Sequence, residues 1–165
     1  MADVILVDTG AGIANHVLEF VLASPEVLVV TTPEPTSLTD SYSLLKSLYR
    51  NPKFNREYTK ISVLSNRVTS AAEGRGVYDK LNTVVGQFLE GEITYAGMIP
   101  QDSALEKAIR MQKPVSLQAP LSKSARAFEV VAAELLQGES SDAYRSFGLS
   151  RLFSGFWKQK NEGVE

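Results

Sequence analysis

Four short apolar runs limit what this chain can fold into. Val4-Ile5-Leu6-Val7 ends at Asp8, and Val27-Leu28-Val29-Val30 ends at Thr31-Thr32-Pro33. Ile61-Ser62-Val63-Leu64 ends at Ser65-Asn66, and Tyr95-Ala96-Gly97-Met98-Ile99 ends at Pro100. Runs of this kind, without polar alternation, fit strands of a parallel sheet covered on both faces. Between them, apolar residues recur at helical spacing. Ile13, Val17, Phe20 and Val21 form one stripe, and Leu38, Tyr42, Leu45 and Leu48 form a second behind Thr36 as its N-cap. Val77, Leu81, Val84, Val85, Phe88 and Leu89 form a third, closed by Gly91. Leu105, Ala108 and Ile109 make a short fourth, and Ala125, Phe128, Val131, Ala132 and Leu135 a long fifth, closed by Gly138. Strands alternating with helices predict an α/β fold, a parallel sheet flanked by helices with right-handed crossovers. Gly138-Glu139-Ser140-Ser141 reads as a linker, which divides the chain into residues 1–138 and a C-terminal segment 139–165.

Composition removes several classes. With 165 residues, 44% of them hydrophobic, the chain can bury a core and is not disordered. It has no cysteine, hence no disulfide scaffold, thiolate metal site or cysteine nucleophile. Its one histidine, His16, lies beside the first helical stripe and is assigned no role. A net charge of −2 makes nucleic acid an unlikely partner, although Lys46 to Arg67 is locally basic after an opening stretch with no Lys or Arg. No apolar run reaches membrane-spanning length, and Met1-Ala2-Asp3 leads straight into an apolar run rather than a secretory leader. A cytoplasmic location is expected.

In parallel α/β folds, sites gather at the carboxyl ends of strands. Asp8 followed by Thr9-Gly10-Ala11-Gly12 suits a metal–phosphate site there. The carboxylate can serve Mg²⁺, and the glycines let backbone N–H groups approach a phosphate at a helix start. The same Asp8 could equally cap a turn. A phospho-acceptor receiver domain is rejected, because Lys113-Pro114 lies too far along the chain and no acidic pair precedes Asp8.

The string from Asp3 to Ile13 resembles the Walker B and switch II segment of the MinD/ParA-type deviant-Walker ATPases. Thr31 to Tyr42 resembles the family's next loop, most closely in the branch of flagellar-number regulators (FlhG/FleN). Asn66-Arg67 is similar to the adenine-side element, and Gly97 to Asp102, followed by Lys113-Pro114-Val115, to the second base-side element. The resemblance implies a MinD-like P-loop NTPase fold with ATP and Mg²⁺ as cofactors. Asp8 would serve Mg²⁺ through water, while Gly10 and Gly12 would sense the γ-phosphate. Asn66, with Arg67 beside it, would bond the adenine edge, and Pro100 and Asp102 would line the base or ribose. Glu34 would reach the nucleotide of a dimer partner and Asp40 would pair with a signature lysine. On residue pattern alone, Glu34 and Asp40 are also simply acids suited to a helix N-terminal turn.

The phosphate loop G-x-x-x-x-G-K-[ST] occurs nowhere in the sequence. The chain therefore resembles the C-terminal part of such an ATPase, with the P-loop half absent. It is expected to be inactive alone, with weak or no ATP binding and no catalytic residue of its own. An uncovered edge strand predicts self-association, as a dimer or by strand exchange. Past the linker, Leu149, Leu152, Phe153, Phe156 and Trp157 follow helical spacing among Arg145, Arg151, Lys158 and Lys160. That pattern fits an amphipathic helix lying in a membrane interface, or docked on a partner. It also resembles the MinD membrane-targeting segment. The resemblance implies an ATP-dependent switch governing flagellar number or placement, peripheral at the inner face of the bacterial cell membrane. Flagellar proteins such as FlhF are its implied partners. The alternatives are a non-enzymatic interaction module built on part of an NTPase fold, and a ParA-like chromosome or plasmid partition ATPase.

Overall fold

A computed structural model describes residues 4–137. Three parallel strands form the sheet, in the order β1-β2-β3: β1 (Glu26–Thr31), β2 (Lys60–Val68) and β3 (Thr94–Pro100). The helices are α1 (Asn15–Ala23), α2 (Pro35–Tyr49), α3 (Ala71–Leu89), α4 (Ser103–Arg110), α5 (Val115–Gln118) and α6 (Lys123–Gln137).

The β-branched runs sort by pleat onto the two faces of the sheet. Val27, Val29, Ile61 and Val63 pack under α1, α2 and α3, against Val17, Val21, Leu45, Leu48, Leu81 and Val85. Leu28 and Leu64 point the other way, toward Ile99 and α6 through Val131 and Leu135. Leu45, Leu48, Val63 and Val85 have no exposed surface, so the first of these faces is the main core.

Three of the four expected strands form. Val4–Val7 does not join the sheet, and its residues are 45–85% exposed. A strand exists through its ladder, and β1 pairs only with β2 among the described residues. Val30, on β1, is correspondingly 53% exposed, so two-sided cover fails where the sheet stays open. The start of α2 also differs from expectation. Glu34, not Thr36, is its N-cap, because Pro35 takes the first helical position, where its missing N–H costs nothing.

Two glycines answer to packing. The end of α3 is Glu90 in the left-handed region, and Gly91 follows because a Cβ there would overlap the Tyr49 ring. Gly97, at φ +117°, sits where the β2–β3 register slips, and a Cβ on it would meet Val131 Cγ2 at 3.2 Å. Gly97→Ala is expected to cost about 2 kcal/mol, from left-handed strain plus a pressed α6 contact, and urea denaturation would measure it.

Candidate nucleotide site

The parallel register brings the ends of the strands together. Thr31 lies opposite Ser65, and Val68 opposite Pro100, so the loops after β1, β2 and β3 share one edge of the sheet. The Gln101 N–H donates to the Val68 carbonyl at 2.8 Å, tying the third loop to the second.

Each loop is held by its own short polar residues. After β1, Ser37 Oγ accepts the Thr32 N–H at 3.0 Å and lies 3.1 Å from Thr31 Oγ1. The Glu34 carboxylate is held below its usual pKa by the Thr32 side chain, then by its own N–H and by the nearby Arg67 guanidinium. Near the end of β2, Asn66 Oδ1 accepts the Arg67 N–H at 2.9 Å while Arg67 takes a left-handed backbone (φ 56°) where the β2–β3 register slips. Ser70 caps α3 by accepting the Glu73 N–H at 3.1 Å. Glu73 reaches back to the N–H and hydroxyl of Thr69 at 2.6 and 2.7 Å, which holds its carboxyl below the usual range. Buried Ser65 donates to the Gly74 carbonyl at 2.8 Å and so fixes where α3 begins.

After β3, Asp102 joins two helices. One oxygen accepts the Ala104 N–H at 2.9 Å as the N-cap of α4. The other accepts the Ser124 N–H at 3.0 Å and its hydroxyl at 2.9 Å, at the start of α6. The Ser124 N–H, the Ala104 N–H and the Ser124 hydroxyl, in that order, hold its carboxyl below the usual aspartate range.

The edge thus gathers Glu34, Asn66, Arg67, Pro100 and Asp102. Asp40 lies farther along α2 and is exposed. Asp8, Gly10 and Gly12 are exposed in the irregular stretch before α1, where Gly12 adopts φ +103°. Among the described residues, no group of three or more His, Asp or Glu converges as a metal site. Leu149, Leu152, Phe153, Phe156 and Trp157 lie outside the described residues. The sequence reading passed over Ser37, Thr69, Ser70, Glu73 and Ser124. Ser70-x-x-Glu73 carries the capping-box pattern and was open to recognition. The tertiary bond from Ser124 to Asp102 has no local signal.

A purine edge needs a donor and an acceptor side by side. The Asn66 amide supplies both, on the strand next to the one that ends at Pro100, so these residues could hold a base. They offer no cradle for phosphates.

An open parallel sheet with its polar loops at the carboxyl ends is the architecture of α/β nucleotide-binding folds. The solved structures it matches belong to that class. One is the cell division ATPase MinD of Pyrococcus furiosus, with TM-score 0.50 and 24% identity over 70% of this chain and 44% of that one. Another is the septum site-determining protein MinD of Pyrococcus horikoshii, complexed with Mg-ADP, with TM-score 0.50 and 22% identity over 72% of this chain and 44% of that one. The chain is 42% identical over 133 residues to the antiactivator FleN of Pseudomonas aeruginosa, covering 81% of this chain and 46% of FleN. It is 32% identical over 135 residues to the flagellum site-determining protein YlxH of Helicobacter pylori, covering 81% of this chain and 44% of YlxH. No protein-family model matches. Over about four fifths of its length the chain is similar to proteins of the MinD/ParA type, and it spans less than half the length of the curated relatives it matches.

Proposed function

We propose that the chain is the base-side part of an ATP-dependent, MinD-like switch that regulates flagellar number or placement. The observation that carries this is the gathering of Asn66, Arg67, Pro100 and Asp102 on one sheet edge, in a chain 42% identical over 133 residues to FleN. Asn66 reads the adenine edge, and Pro100 and its neighbours wall the base. Glu34 and Asp40 serve the ATP-bound dimer. Asp8, Gly10 and Gly12 belong to the Mg²⁺ and γ-phosphate side, which needs the P-loop strand to be assembled. When bound, Mg²⁺ neutralises the developing phosphate charge.

ATP binding closes the dimer, the dimer favours the membrane through residues 149–157, and hydrolysis releases it. The protein acts in the cytoplasm, peripherally at the membrane, with flagellar proteins such as FlhF as partners. Among the described residues no helix is long and apolar enough to cross a membrane. A non-enzymatic interaction module is the second reading, favoured by the missing phosphate loop.

Phosphoryl transfer rests on electrostatic grip of the phosphates. The purified chain is therefore expected to release no phosphate from MgATP above the protein-free rate. Steady release that disappears in Asp8→Ala would contradict the assignment of the chemistry to an absent loop.

A further inference from the structure

We infer that the corner formed by α4, α5 and the start of α6 is a second lipid-binding surface, facing anionic headgroups and separate from residues 149–157. The inference rests on the membrane arm of the proposed function. The three helices pack around a small core of Ala108, Val115 and Ala125, which leaves most of their surface outside. From Lys107 to Phe128 the sequence has Lys107, Arg110, Lys113, Lys123 and Arg126 and not one Asp or Glu, in a chain whose net charge is −2. All five cations are exposed; Arg110 pairs with Glu106 at 3.7 Å, and Lys123 lies near enough to Asp102 to help hold its carboxyl down.

Large apolar residues stand among them. Leu117 is 80% exposed, Leu121 79% and Ile109 65%. Single exposed apolar residues are ordinary, but three large ones in thirteen residues among five exposed cations make a basic and apolar surface. Charge complementarity selects an anionic surface. The leucines select lipid over a nucleic-acid backbone, because they gain nothing from phosphates but gain burial at the acyl boundary. The corner lies on the β3 side of the sheet, through α6, away from the open edge of β1 where a P-loop strand would add. Asp102 caps α4 and holds α6, so this surface is tied directly to the loop assigned to the base.

The test is co-sedimentation of the full chain with phosphatidylglycerol–phosphatidylcholine vesicles and with phosphatidylcholine alone, at about 0.1 M salt. Leu117→Ser with Leu121→Ser, and separately Lys113→Glu with Arg126→Glu, should each weaken binding to the anionic vesicles about tenfold. These positions are exposed, and an unchanged circular dichroism spectrum checks the fold. The loss should persist when Phe153→Ser and Trp157→Ser are also present. Wild-type binding by both corner variants overturns the inference, and so does binding that responds only to Phe153 and Trp157, which would leave the C-terminal membrane reading intact. Binding lost through the corner but not through Phe153 and Trp157 supports the corner and removes the C-terminal reading. Corner variants that lose affinity for duplex DNA or an acidic peptide, but not for vesicles, assign the surface to another partner and overturn the lipid claim.

Discussion

Asp102→Ala lowers the thermal midpoint of the chain by on the order of 10 °C, the largest effect expected of any single residue at the nucleotide edge. The substitution removes the N-cap of α4 and both bonds to Ser124 at once. It also removes the anion from the starts of two helices, where the backbone dipoles favour it. Asp102→Asn rescues only part of the loss, because its amide oxygen can still cap α4 while its amide nitrogen cannot accept the two Ser124 donors. Ser124→Ala, which deletes only the hydroxyl, should cause a smaller drop. The pH dependence carries the same signature. The carboxyl of Asp102 is held below the ordinary aspartate value of 3.8. Its contribution is therefore complete above that value and is lost as pH falls through the lower, folded-state value. Glu34 and Glu73 are depressed too and act in the same direction. Acid melting curves should become flatter in Asp102→Asn, and curves parallel to wild type would refute the clamp.

The second large effect is on assembly. Val4–Val7 is an apolar, β-branched run without a ladder, and β1 has an unpaired edge among the described residues. A chain carrying both a free strand and a free edge satisfies them by pairing with another copy. Light scattering at about 100 µM should give a mass above one chain, and Ile5→Lys with Leu6→Lys should raise the concentration needed about tenfold. Both residues are exposed, so the folded core does not depend on them. A clean monomer at high concentration would exclude strand pairing between copies.

Much of the fold was legible because its signals are local. β1, β2 and β3 fell on three of the apolar runs, and the stripes through Leu45, Leu81 and Val131 marked α2, α3 and α6. Val4–Val7 has the same local signal and forms no strand, because pairing is a tertiary property that a run of residues cannot carry alone. The cap of α2 was misplaced because Thr36 has the preferred chemistry while Pro35 sets the backbone. At the candidate site, Asn66 and Pro100 were legible as polar or turn residues closing apolar runs, and they stand at the carboxyl ends of β2 and β3. The use of Asp102 was not, because its partner Ser124 is distant in sequence and speaks only through the fold.

The central claim is that this edge receives an adenine base, and amide spectra of the isotope-labelled chain titrated with MgATP test it most directly, since they register weak binding. The account predicts shifts concentrated at Asn66, Arg67, Gln101 and Ala104, with little change at Gly10 and Gly12, and their disappearance in Asn66→Ala. Shifts centred elsewhere, none at these amides, or the same shifts in Asn66→Ala would contradict it.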